Sequence, residues 1–295
     1  MVLVVGATGL VGNEICRRLA MRGESVRALV RATSPKNRVE TLRSCNVEIL
    51  VGDLKDYESI SLSCQGVDAV ISTASSTLSR QAGDSIESVD AAGQMNLVKA
   101  AKAAKVERFV FLSFRHSPHI SFPLGEAKHE VEKAIASMNF TVIQASWFME
   151  LWLSPALGFD YANLTARIYG PGSNPISWVS FLDVAEMCTL ALRNPDAGRK
   201  TIEFGGPEAI SPLEVVARFE KIGGRPFQIE HVPETLLRAQ FAQATDSMQK
   251  SFAALMLQYV SGDAMNMGSI VQQFGIRLAS VDEYARGVLG NIARA

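Results

Sequence analysis

The chain has little of what would set it apart from ordinary globular proteins. Its four cysteines, Cys16, Cys45, Cys64 and Cys188, stand far apart with no CxxC pair. That argues against a disulfide framework and suits unpaired thiols in a reducing compartment, serving as small core residues. No block of five like charges occurs, and the formal net charge is −1 over 295 residues. Nothing therefore offers a polyanion-binding field, and nucleic acid is not expected as a direct partner. Long apolar runs are missing too: no stretch approaches membrane-span length, and the opening one, with no basic region before it, is cut at once by Gly6. No membrane partner is expected, and the expected location is cytoplasmic. Internal repeats, low-complexity tracts and linkers are equally absent, so the length points to one large composite domain or two smaller ones.

What is present begins at the first residue. In MVLVVGATGLVG, Gly6, Gly9 and Gly12 follow four apolar residues, Val2 to Val5, and precede a helical pattern of Val11, Ile15 and Leu19 that ends at Arg22 and Gly23. Strand, glycine turn and helix in that order let backbone and helix approach a pyrophosphate, whose charge the first-turn N–H groups and the helix dipole stabilise. The spacing GxxGxxG differs by one residue from GxGxxG, so its place after a strand and before a helix carries the argument. A purely structural turn is the alternative. Gly6, Thr8, Gly9, Leu10, Val11 and Gly12 are the residues expected to line a dinucleotide.

Further strand-like runs follow at Ser25–Val30, Val47–Val51, Asp68–Ser72, Arg108–Ser113 and Phe140–Ala145, separated by helical patterns. The clearest of these is Ile86, Val89, Gly93, Leu97, Ala100 and Ala104, a small-residue face suited to lying close on a sheet. Alternation of this kind predicts a doubly wound parallel α/β sheet of Rossmann type, with ligands outside the carboxyl ends of its strands. The expected division is a dinucleotide-binding domain over 1–150, with 178–206 returning to it, and a smaller, mainly helical substrate-binding part over 151–177 and 207–295. Asp183 is expected to cap a helix through Leu192, and Ser211-Pro212-Leu213-Glu214 has the form of a capping box.

The second strand, SVRALVR, ends in Arg31, where NAD-binding units commonly carry an acidic residue for the adenosine ribose. A carboxylate repels a 2′-phosphate, whereas a guanidinium pairs with it, so NADP(H) is expected over NAD(H). Asp53 and Leu54 follow the third strand, with Asp53 able to accept from an adenine amino group. Thr73, Ala74 and Ser75 follow the fourth and are small enough to let a cofactor pass. A turn-forming role is the alternative at each.

With VVGATGLVG, the arginine after strand two, VGDL after strand three and LSF after strand five, the chain resembles the short-chain dehydrogenase/reductase superfamily, and more closely its NmrA-like atypical branch. SVDAAGQMNLVKAAKAA, EAKHEVEKAI, WFMELW and ISWVSFLDVAEM add to the likeness, which runs from residue 1 to about Gly206. The resemblance implies a reductase that uses NADPH on quinones, dyes or phenylcoumaran-type substrates. The superfamily pairs a strand-five serine with a helix-borne YxxxK. Ser113 matches the serine and Lys128 the lysine, but the tyrosine position is Leu124. Leucine carries no proton, so tyrosine-dependent ketone reduction is not expected. The resemblance leaves Lys128 either holding the nicotinamide ribose or, once desolvated, acting as the acid itself; a lysine on an exposed helix face is the plain alternative.

His116 and His119 flank Pro118 in the loop after strand five, where a substrate is expected. As an HxxH pair they could suggest zinc, but no third ligand lies near in sequence and no metal is expected. Trp147, Phe148 and Trp152 follow strand six and could stack on a planar substrate or fill core. The expected function is therefore NADPH-dependent hydride transfer to an apolar, conjugated, quinone-like small molecule. A non-catalytic NADP(H)-binding redox sensor with a regulatory protein partner is the alternative, and a homodimer stays open.

Overall fold

The structure is a computed structural model and describes residues 1–78, 81–117 and 119–292. The first unit comprises 1–116, 121–144 and 184–202. The chain enters through β1 (Val2–Val5), α1 (Leu10–Met21), β2 (Val26–Val30), α2 (Lys36–Ser44), β3 (Glu48–Val51), α3 (Tyr57–Ser63) and β4 (Ala69–Ser72). A π-helical stretch, Ile86–Gly93, runs directly into α4 (Gln94–Ala103). Then come β5 (Arg108–Ser113), α5 (Pro123–Ile135) and β6 (Phe140–Ala145).

Seven strands form one sheet in the order β3-β2-β1-β4-β5-β6-β9, where β9 is Lys200–Phe204. The pairs β1–β2, β2–β3, β1–β4, β4–β5 and β5–β6 are all parallel. The chain winds outward from β1 to β3, then crosses back to place β4 on the other side of β1. That reversal opens a crevice at the carboxyl ends of β1 and β4, the position where doubly wound sheets take ligands. β1 and β4 are buried along their whole length, as central strands covered on both faces must be. Leu3, Val5, Val70, Leu97, Phe109, Phe111, Val131 and Ile135 form the core on one face of the sheet.

The second unit comprises 117–120, 145–183 and 203–295. Its core gathers Met149, Phe159, Ile168, Trp178, Val215, Phe219 and Tyr259. It contains α6 (Met149–Trp152), β7 (Phe159–Asp160), β8 (Thr165–Tyr169), α8 (Pro212–Gly223), β10 (Gln228–Val232), α9 (Glu234–Gln243), α10 (Ser247–Ser261), α11 (Gly268–Phe274) and α12 (Val281–Ile292). β10, β8 and β7 form a small sheet absent from the sequence expectation. β10 is exposed over most of its length and shows no apolar alternation. The capping box at Ser211 and Glu214 is formed as expected. Helix α7 (Phe181–Arg193) instead begins two residues before Asp183. Asp183 lies in its first turn and accepts a hydrogen bond from the Ala279 N–H at 2.7 Å.

All four cysteines are free, and Cys16, Cys64 and Cys188 are buried. Burial pushes the Cys64 thiol up to about 11 and that of Cys188 up to about 12, which keeps both protonated and unreactive at neutral pH.

Candidate functional site

The glycine turn is built by close backbone contacts. Gly6 has φ +85°, and a Cβ there would sit 2.8 Å from both the Ala74 nitrogen and Thr73 Oγ1. A Cβ on Gly12 would lie 2.2 Å from the Gly6 carbonyl oxygen and 2.7 Å from its carbon, so α1 rests directly on the turn. Gly9, the N-cap of α1, donates its N–H to the Gly6 carbonyl at 2.9 Å. Around Gly9 a Cβ would meet only that oxygen, at 3.2 Å. No side chain caps α1, and its first turn carries no acidic residue. By contrast, α3, α8 and α10 are each capped by their own Asp or Ser side chain. An uncapped N-terminus outside β1, free of carboxylates, is the arrangement an anion requires. Beside it Asn13 Nδ2 is buried with no hydrogen-bond partner among the described residues.

Residues of the same turn differ in what they do. Leu10 is exposed, whereas Val11 is buried against the sheet. Thr73 donates to the Val5 carbonyl through both N–H (2.9 Å) and Oγ1 (3.3 Å), and Gln94 Nε2 donates to the Ala74 carbonyl at 2.9 Å, so the turn after β4 is held rigidly beside Gly6. Ser75 Oγ contacts Thr77 Oγ1 at 3.2 Å. Leu54 is a core residue, and a Cβ on Gly93 would lie 2.9 Å from its own. Asp53 closes its own turn by accepting from the Lys55 N–H at 2.9 Å.

Arg31 has a neighbour that sequence reasoning missed. Its Nη1 lies 2.5 Å from Asp84 Oδ2, and Lys55 Nζ lies 2.6 Å from Oδ1 of the same carboxylate. The Asp84 side chain is 1% exposed and also accepts from the Gln81 N–H. Burial pushes its carboxyl up, but Lys55, the Gln81 N–H and Arg31 outweigh it, so the group is held below the usual carboxylate range. Arg31 and Lys55 thus share the Asp84 carboxylate, and Lys55 Nζ also lies 3.7 Å from Asp53 Oδ2, so the end of β2 holds a network of two cations and two carboxylates.

At the ends of β5 and β6 the structure gathers Ser113, His116 and Lys128. Lys128 is buried, donates to the Leu112 carbonyl at 3.2 Å and stands 4.8 Å over the Phe111 ring. Burial drives its pKa below the ordinary lysine value, partly offset by the carboxylates of Asp90 and Glu132. Leu124, in the tyrosine position, is buried. Asp90 sits on the π-helical stretch, a conformation often found at functional sites. It accepts from Ser76 N–H (3.0 Å) and Oγ (2.6 Å) through Oδ2, while its buried Oδ1 has no hydrogen-bond partner among the described residues. Its signal in the sequence was a carboxylate on the apolar face of Ile86, Val89 and Gly93. Ser113 Oγ is buried near enough to Glu132 to help depress its carboxyl, yet makes no hydrogen bond of full geometry.

His116 Nε2 lies 3.1 Å from Glu132 Oε1. His119, by contrast, is exposed and belongs to the second unit, and Pro118 lies outside the described residues. Trp147 and Phe148 also belong to the second unit. Trp147 packs edge-on against Trp152 at 4.4 Å and Tyr259 at 5.8 Å, and Phe148 bridges to Val179. There Trp147 extends an aromatic cluster around Tyr259.

Residues 1–284 match the NmrA-like family. The chain belongs to it. Among its NmrA-like relatives, the photosystem II assembly factor Ycf39 of Synechocystis is 29% identical over 99% of this chain and 92% of that protein. The NAD(P)H azoreductase of Xenophilus azovorans is 29% identical over 87% of this chain and 85% of its own length. The Escherichia coli NADPH-dependent quinone oxidoreductase QOR2, solved with NADPH, superposes with a TM-score of 0.79 at 20% identity, covering 98% and 99% of the two chains. None of the helices among the described residues is long and apolar enough to cross a membrane.

Proposed function

We propose that this NmrA-like chain binds NADP(H) at the carboxyl ends of β1 and β4 and reduces a quinone-like or other conjugated apolar molecule. The observation that carries the reading is the uncapped α1 N-terminus, packed on a turn with no room for side chains at Gly6 or Gly12. The buried atoms Asn13 Nδ2 and Asp90 Oδ1, which have no hydrogen-bond partner among the described residues, add support. Unpaired polar groups in a native interior cost stability, and a polar ligand would satisfy them.

The nicotinamide would supply the hydride. First-turn N–H groups of α1 would hold the pyrophosphate, and Arg31 with Lys55 the 2′-phosphate. Lys128, fixed by the Leu112 carbonyl, would place a ribose hydroxyl, and Ser113 Oγ would donate to or accept from the nicotinamide side. With Leu124 in the tyrosine position, no phenol hands a proton to the product. An acceptor that stabilises its own negative charge needs none, which favours quinone-like over simple ketone substrates. A second reading, a non-catalytic NADP(H) sensor, draws on that same leucine and on the Ycf39 relative.

Cofactor choice tests the site independently of turnover. Arg31→Met is expected to weaken NADPH binding by roughly 10- to 150-fold, the worth of a charge-assisted contact of about 1.5–3 kcal/mol, and to leave NADH binding nearly unchanged. Calorimetry on both proteins with both cofactors measures it. Equal affinity of the wild type for NADPH and NADH would overturn the assignment of Arg31.

A further inference from the structure

We propose that His116, His129 and Glu132 form a binding site for a first-row transition-metal dication of zinc type. The three side chains offer donor atoms that all lie within 4.8 Å of one another. His116 Nε2 is 3.1 Å from Glu132 Oε1, His129 Nδ1 is 3.9 Å from Glu132 Oε2, and the two imidazole rings meet edge-on with centroids 5.1 Å apart. Around a tetrahedral ion with bonds of about 2.0–2.1 Å, neighbouring donors stand roughly 3.4 Å apart. The separations to Glu132, 3.1 Å at Oε1 and 3.9 Å at Oε2, bracket that value, and rotation of the imidazoles toward one carboxylate oxygen would close the site.

The donor set fits the ion. Two imidazoles and a carboxylate are borderline ligands of the kind zinc, cobalt and nickel take, and the hard cations magnesium and calcium do not. His129 and Glu132 are three residues apart on α5, which puts them on one helix face, and His116 comes from the loop after β5. Gln144 Nε2 lies 3.3 Å from each oxygen of Glu132 and helps hold the carboxylate in place, as outer partners of metal ligands do. The Glu132 side chain is 12% exposed, whereas that of His129 is 51% exposed. The anionic ligand is thus held firmly while the ion has a route in, and the fourth position stays open to water. Three protein ligands plus water is the open arrangement. Sequence reading paired His116 with His119, saw no third ligand near in sequence and expected no metal; the partners of His116 come instead from a helix that begins after the loop.

Full-length protein carrying Cys45→Ser, which removes the half-exposed thiol as a competing ligand, would be stripped with a chelator and titrated with Zn²⁺ by calorimetry and with Co²⁺ by visible absorption. The expected result is one ion per chain at micromolar Kd or tighter, with the intense ligand-field bands of four- or five-coordinate cobalt and a Tm rise of a few degrees. Glu132→Gln and His129→Ala should each weaken binding by at least about tenfold, and His119→Ala should leave it unchanged. The half-exposed His129 can be truncated without opening the core, so that arm holds even if Glu132→Gln perturbs folding. Absence of saturable one-to-one binding, or binding that survives both substitutions, would overturn the proposal. Neither outcome bears on the NADP(H) reading, because every readout is taken without cofactor.

Discussion

Replacing Gly12 with alanine is expected to abolish NADPH binding and to destabilise the protein together, whereas Gly9→Ala should affect binding almost alone. The added methyl at position 12 meets the Gly6 carbonyl oxygen at 2.2 Å, with main chain on both sides, so α1 must lift from the turn. Overpacking of this kind costs roughly 1–3 kcal/mol. It also displaces the first-turn N–H groups from the position proposed for the pyrophosphate. At Gly9, φ is −76° and a Cβ meets only one oxygen at 3.2 Å, with otherwise open space around it. Alanine fits the folded chain there but occupies ground that the cofactor needs. Thermal melts and NADPH calorimetry on the pair separate the effects, with Gly12→Ala failing in both and Gly9→Ala keeping a near-native Tm. Unchanged NADPH affinity in folded Gly9→Ala would reduce the opening motif to a structural turn.

Lys128→Met should move stability and function in opposite directions. The lysine is buried, and its desolvation is only partly relieved by Asp90 and Glu132, so its pKa in the folded chain lies below 10.5. Between that depressed value and 10.5 the unfolded chain binds the extra proton, and stability rises with pH. Below the folded pKa the penalty of burying the ammonium is present in full. Methionine fills similar volume without charge, so the cofactor-free variant should melt higher than wild type near neutral pH, by roughly 2–4 °C for each kcal/mol relieved. The gain should shrink as pH approaches 10.5. Binding of NADPH should weaken, and turnover should fall with it. A positioning role leaves the pH profile of kcat intact. A proton-donating role removes a limb from that profile and lowers kcat by roughly 10²–10⁴. We expect the positioning result, since an acceptor that carries its own charge draws protons from water. A variant with wild-type affinity, rate and Tm would return Lys128 to an ordinary helix position.

The elements that were legible in the sequence are those where local pattern and tertiary role coincide. β1 is a continuous apolar run and β5 carries one in Phe109–Leu112 because these strands are buried, and glycine at positions 6 and 12 is required by contacts at 2.8 and 2.2 Å. The Ser211 box declares itself through local hydrogen bonds alone. Asp84 and Glu132 escaped notice because their significance comes from partners 53 and 16 residues away, Arg31 and His116, which only the fold brings near. β10 escaped because an exposed strand of mixed polarity has no periodicity to read. The aromatic residues after β6 read equally as a stacking surface or as core, and Trp147 packs with Trp152 and Tyr259, a use of aromatic surface that sequence cannot distinguish from binding.

The central claim, an NADP(H)-dependent reductase built on the β1–β4 crevice, is tested most directly by NADPH consumption. Purified protein would be followed at the nicotinamide absorbance with a panel of quinones, azo dyes and triphenylmethane dyes, alongside a direct NADPH binding titration. The account predicts tight NADPH binding and saturable turnover with at least one conjugated acceptor, faster with NADPH than with NADH and lost in Gly12→Ala. Tight binding without turnover across the panel would contradict catalysis and leave the sensor reading. No NADPH binding at all would contradict the account from its first glycine onward.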